Sequence, residues 1–147
     1  MGIYMGVRDA IRFLVAKAMC GKENVLMALM EYARFSDSLS VIADRYGISK
    51  HTLRGTMSKL KTHAGNNGVA ITLIEKAIPE IMGMGVERVI ETRDGIPYCR
   101  RCRTYIINVF PEDHLVKKHQ DELDNIVSEV IERIRSKRNS NVRAVSA

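Results

Sequence analysis

The sequence predicts a mostly α (α+β) fold with a helical N-terminal domain, a small β-hairpin module and a long C-terminal helix. Three observations predict it. Apolar residues recur at helical spacing through most of the first 82 residues. β-favouring residues gather between Val86 and Val109 around an Asp94-Gly95 hairpin signal. From Val116 the apolar positions then step by 7, 3, 4 and 4 to Leu123, Ile126, Val130 and Ile134, close to a heptad seam.

The elements follow in order. Val7 to Met19 is a helix with Val7, Ile11, Leu14, Val15 and Ala18 on one face, stopped at Gly21. Glu23 to Phe35 is a second, with Val25, Leu26, Leu29, Met30 and Ala33 turned inward. Ser36-Asp37-Ser38 supplies N-cap chemistry for a short helix from Leu39 to about Tyr46. A turn at Gly47-Ile48-Ser49 leads into a helix from Lys50 to His63. Gly65-Asn66-Asn67-Gly68 breaks it. Ile71 to Met82 is helical, with Pro79 as a kink or a restart. Pro111-Glu112-Asp113 opens the last helix, with Pro in its first turn and acids at its positive end. That helix runs to about Lys137, some 27 residues or about 40 Å. The chain therefore divides into a helical domain (1–64), a connecting helix (65–85), a hairpin–helix module (86–120), a long helix (111–138) and a flexible tail (139–147).

Composition narrows the function classes. The 147 residues are 46% hydrophobic but only 5% aromatic, with no Trp and eight Met, so aliphatic side chains must fill the core. No apolar run approaches the roughly 18 residues that span a bilayer, and no leader pattern is visible at Met1–Gly6. The expectation is a cytoplasmic protein without a membrane partner. Net charge is +6, the sign that suits a polyanionic partner. The charge is segregated: +3 over residues 36–63, +3 over 93–103 and +5 over 133–147, separated by −2 over 64–92 and −5 over 104–132.

The first basic island carries a motif. Leu39 to Leu60 resembles the helix-turn-helix of bacterial and archaeal transcription regulators over about 22 residues. Ala43 is small where the second helix crosses the first, and Gly47 suits the positive φ of a tight turn. Ser49 caps the second helix, and Ile42, Ile48, Leu53, Met57 and Leu60 form the apolar seam. The resemblance implies a DNA-binding face of Arg45, Ser49, Lys50, His51, Thr52, Arg54, Ser58, Lys59 and Lys61. Lys50, His51 and Arg54 would approach base edges, whereas Arg45, Lys59 and Lys61 would neutralise phosphates. Gly55 departs from good helix chemistry and costs about 1 kcal/mol against Ala unless a backbone must come close there. A plain helical hairpin shares this spacing.

The second basic island carries another. Cys99-x-x-Cys102 is followed by His114-x4-His119, with eleven residues between the pairs. The pattern resembles the C2H2 zinc finger, which implies one structural Zn2+ per chain held by Cys99, Cys102, His114 and His119. Arg93, Arg100, Arg101 and Arg103 are expected to help keep the thiolates ionised. Residues five apart on an ideal helix point about 140° apart, so the helix must deform between His114 and His119. Too few helical residues precede His114 for a base-reading finger, so the module is expected to staple hairpin to helix. A redox pair and incidental Cys and His are the competing readings.

The long helix is either a dimer seam or a lid over the N-terminal helices. The last basic cluster, Arg133, Arg135, Lys137, Arg138 and Arg143, could meet phosphates or balance the helix dipole. Cys20 is expected to be a buried small hydrophobe. The sequence thus predicts a sequence-specific, double-stranded-DNA-binding regulator that forms a homodimer. The other class is an adaptor gripping the transcription machinery through the module and long helix. An enzyme is not expected: there is no nucleophile motif or phosphate-binding Gly loop, and no small-molecule substrate is evident.

Overall fold

A computed structural model describes residues 6–35 and 38–146, with side chains to 138. Among the described residues, seven helices and a small sheet follow in the order α1 (Val7–Met19), α2 (Glu23–Phe35), α3 (Leu39–Arg45), α4 (Lys50–Ala64), α5 (Asn67–Met84), β1 (Ile90–Arg93), β2 (Ile96–Cys99), β3 (Thr104–Tyr105), α6 (Pro111–Lys118) and α7 (Gln120–Ser146). The fold is mostly α with a minor β part.

Helix α1 is the hub. It packs against α2, α4, α5, α6 and α7, and Ala10, Ile11, Leu14, Val15, Ala16, Ala18 and Met19 are all buried. So many small apolar residues let several helices approach at once, which suits a core without Trp. Val7 lies outside this face and is 49% exposed. At the other end Gly21 takes φ 72°, and the Arg88 guanidinium fills the space where a Cβ would stand, 2.3 Å away. Any other residue there meets backbone strain, and the flexible Arg88 side chain would have to move aside.

The α3–α4 pair forms as its local chemistry dictates. Ser38 and Ser49 each cap a helix, accepting from the N–H of Val41 and of Thr52. Gly47 has φ 69°, turning the chain between the helices. Ile42, Ala43, Leu53, Met57 and Leu60 are buried at the crossing, together with Thr56, whose hydroxyl donates to the Thr52 carbonyl.

Gly65 and Asn66 end α4 and start α5: Gly65 has φ 99°, and the Asn66 side chain accepts from Val69 N–H at 2.8 Å. The break is therefore narrower than Gly65–Gly68. Helix α5 runs through Pro79 without restarting. Its Glu80 is buried and pairs with Lys137 of α7 at 2.5 Å.

The sheet is antiparallel in the order β1-β2-β3. Arg93 pairs with Ile96 across a two-residue turn, and Asp94 and Gly95 have φ 55° and 78°, as a tight hairpin requires. Val89 N–H donates to the Met19 carbonyl at 2.8 Å, so the sheet is sewn to the end of α1.

The C-terminal region differs from one continuous helix. His119, with φ −131° and ψ 37°, ends α6, and α7 begins at the next residue. Leu123, Val127 and Val130 of α7 are fully buried against the chain's own α1 and α5. Of the two roles left open for this seam, the lid is the one the fold adopts. Val116 sits outside the seam and is 40% exposed. Helix α7 continues to Ser146, past the expected end near Lys137. The side chains of the expected flexible tail, 139–147, lie outside the described residues, as does that of Arg143.

Candidate metal centre and cationic helix

Cys99 ends β2 and Cys102 follows on a tight knuckle. The knuckle closes through two bonds: Cys102 N–H donates to Cys99 Sγ at 3.3 Å, and Arg103 N–H to the Cys99 carbonyl at 2.8 Å. Arg103 takes φ 58° to complete the turn. His114 lies on α6 and His119 at its broken end. The break resolves the 140° problem: both rings turn to the same side, with centroids 5.2 Å apart.

The donor atoms converge. His119 Nε2 is 3.3 Å from both Cys99 Sγ and Cys102 Sγ, and His114 Nε2 is 3.6 Å from Cys102 Sγ. All four ligand atoms lie within 4.8 Å of one another. A tetrahedral ion with metal–sulfur and metal–nitrogen bonds of about 2.3 and 2.05 Å requires sulfur–nitrogen edges of about 3.6 Å. The four side chains are therefore close enough to hold one metal ion, and their donor chemistry suits one. Electrostatics point the same way. Burial, assisted by the adjoining Cys99 sulfur, pushes the Cys102 thiol up, and a cation beside a thiol favours its ionised, ligating form. Burial, then His119 and Lys118, lower the His114 pKa, which keeps its imidazole neutral and able to ligate.

Three of the four expected arginines are engaged away from the sulfurs. Arg101 binds Glu87 at 2.7 Å and Glu122 at 3.0 Å, tying the knuckle to the start of α7. Arg93 pairs with Glu91 and stacks on Tyr98, 3.7 Å from the ring centroid. Arg100 donates to the Arg88 carbonyl. The cation that lowers the Cys102 pKa is Lys118, which lies beside His119 in sequence and was not singled out by any motif.

A second cluster anchors the module. Glu112 pairs with Lys17 at 2.5 Å and with Lys22 at 3.1 Å. Burial alone would raise its pKa, but the two ammonium groups outweigh it and hold the carboxyl at about 2. Cys20 donates toward Glu112 at 3.8 Å. Burial and this carboxylate push the thiol to about 12, so it stays protonated, in keeping with a packing residue.

Helix α4 is the other candidate. No acidic residue occurs between Arg45 and Ile74. Lys50, His51, Thr52, Arg54, Ser58 and Lys59 are exposed, and Lys61 is half-buried. With about 100° per residue, His51, Gly55, Ser58 and Thr62 form the outermost strip. Lys50, Arg54 and Lys61 form one flank, and Thr52 and Lys59 the other. Two expected members of the face are engaged elsewhere. Arg45 pairs with Glu31 of α2 at 2.5 Å, and the Ser49 hydroxyl is held in the cap, donating to Thr52 Oγ1 at 2.8 Å. A Cβ at Gly55 would meet nothing within 4 Å, so no neighbour inside the chain requires that glycine.

Compared with family models, with curated proteins and with solved structures, the chain has no match in any of the three. Function is therefore argued from the two sites themselves. Among the described residues, no helix is long and apolar enough to cross a membrane.

Proposed function

We propose that the protein is a sequence-specific double-stranded-DNA-binding regulator that reads the major groove with α4 and holds one structural Zn2+ at Cys99, Cys102, His114 and His119. The observation that carries the DNA reading is the shape and charge of α4. Its outermost strip, His51-Gly55-Ser58-Thr62, is slim, and cations stand on both flanks. A helix so built can sink between two phosphate rails, with Lys50, Arg54 and Lys61 toward one and Lys59 toward the other. His51 and Ser58 then come nearest the base edges, with Arg54 able to bend inward. Gly55 has a role in this pose, since it brings the backbone close to the bases.

Zinc is favoured among metals by two thiolates and two imidazoles this close together. All four ligands come from the chain, so the ion would bind as a staple joining hairpin to helix. It leaves α6 and α7 set against α1. A homodimer presenting two copies of α4 to paired half-sites would need a face other than the α7 seam.

Salt dependence tests the DNA reading. If about six phosphates are neutralised, affinity for duplex DNA falls on the order of a thousandfold between 50 and 200 mM salt. Replacing Lys50, Arg54 and Lys61 together by Gln should flatten the log–log slope by about 2 to 3. An adaptor gripping another protein is the second reading, favoured by Ile107 and Val109, which stand 66% and 45% exposed beside the metal module. A salt-independent response to duplex DNA would select that reading.

A further inference from the structure

A cavity of about 610 Å³ opens between α1, the C-terminal half of α4 and the start of α6. None of the four metal ligands lines it. Its size falls within the range of small-molecule sites, and so does its make-up. Phe13 and Ala16 of α1 line it together with Phe110 and Val116, and the Lys17 ammonium lies over the Phe13 ring, 5.1 Å from its centroid. Phe110 is 71% exposed, an open aromatic ring at the wall of a concave site, ready to stack on another ring.

The charges around the cavity decide the sign of what can enter. Arg12 is bound by Asp9 and Asp124, and Lys17 by Glu112. Lys59 meets no carboxylate among the described residues; its ammonium rests over the Phe110 ring, 5.8 Å from the centroid. Beside it the His63 ring packs on Phe13, 5.4 Å between centroids, with Nδ1 buried and without a hydrogen-bond partner. Asp113 is the remaining acid. It is exposed in the first turn of α6, where the helix N-terminus already balances it.

We propose that this cavity is a binding site for a small planar aromatic carboxylate. The ring lies between Phe13 and Phe110, and the carboxylate meets Lys59 with the His63 imidazole alongside. A flat aromatic body suits the two phenyl walls. An anion suits Lys59, the one cation lining the cavity that no acid among the described residues pairs with. The ligand would touch α4 and α6 together, four residues from His114 at Phe110 and at the cationic flank of the helix at Lys59. The site stands whether or not α4 meets DNA.

The test uses the full chain and two probes of one shape and opposite charge, 1-naphthoate and 1-naphthylmethylammonium. Because the chain has no Trp, naphthyl fluorescence can be followed directly. We expect 1-naphthoate to bind saturably, one per chain, at least tenfold tighter than the ammonium. Lys59→Gln should erase that preference while leaving the ammonium no weaker, and Phe110→Leu should weaken both probes at least fivefold. Both residues are exposed, and circular dichroism checks that each variant keeps its helix content. Absence of saturable binding overturns the proposal. Equal affinity for the two probes, or an unchanged preference in Lys59→Gln, overturns it as well.

Discussion

Cys102 and Glu112 are the two residues whose chemistry makes the clearest demands. Cys102 shares His119 with Cys99 and touches His114 as well, so Cys102→Ser should abolish binding of about one metal ion per chain. Losing a structural ion removes several kcal/mol, and the melting temperature should fall by about 10 °C. Elemental analysis and calorimetry check both, and a metal-free wild-type protein with the same melting temperature would refute the staple. Glu112 is a case for pH. Its carboxyl is held at about 2 against an ordinary value of 4.5, so its ion pairs add stability that is complete above pH 4.5. That stability is lost as pH falls from 4.5 toward 2, where the folded form also takes up the proton. Glu112→Gln should therefore cost about 2 kcal/mol at pH 7 after allowing for solvent screening. By pH 2.5 most of the difference from wild type should be gone. Urea unfolding at the two pH values measures it, and a gap that does not change with pH would remove the Lys17–Glu112–Lys22 explanation.

Among the elements, α4 carries a glycine that costs it helix stability. A Cβ at position 55 meets open space, so Gly55→Ala should stabilise the free protein by about 0.5 to 1 kcal/mol. The same methyl would stand between the backbone and the bases in the proposed pose, so duplex affinity should fall while stability rises. If both rise together, the outermost strip of α4 does not face the groove. Much of this element was legible from residues alone: the Ser49 cap and the positive φ of Gly47 follow from local rules, and so does the buried row Leu53, Met57 and Leu60. The engagement of Arg45 by Glu31 was not, because the two lie fourteen positions apart on different helices. The α6–α7 break was legible only in part. The spacing of His114 and His119 required a deformation, but nothing local places it at His119, in a run of good helix formers.

For the whole molecule, the decisive feature is that α7 completes the core. Leu123, Val127 and Val130 have no exposure at all, so truncation after His119 would uncover α1 and α5. The shortened chain should lose its cooperative unfolding transition, and circular dichroism with thermal melting checks this. A truncated chain that stays folded would make α7 a free arm after all, available to a second copy. Glu80 with Lys137, and Arg12 with Asp124, add polar ties along the same contact. Lys137 supplies the partner that the buried Glu80 carboxylate needs, whereas the partly exposed Arg12–Asp124 pair contributes little.

The type and order of the elements up to Pro111, the Asp94-Gly95 turn, the Ser38, Ser49 and Pro111 helix starts and the grouping of Cys99, Cys102, His114 and His119 were written in the residues themselves. Each depends on neighbours within one turn of helix, one hairpin or one motif. Packing between distant segments determined the rest: which way the α7 seam faces, which cations keep their charge free, and the cavity below Lys59. A heptad row has the same sequence whether it meets its own chain or another. An arginine likewise has the same sequence whether a distant glutamate reaches it or not. Only the folded arrangement of α1, α4 and α6 decides such contacts, because they are made between residues that the chain brings together from far apart.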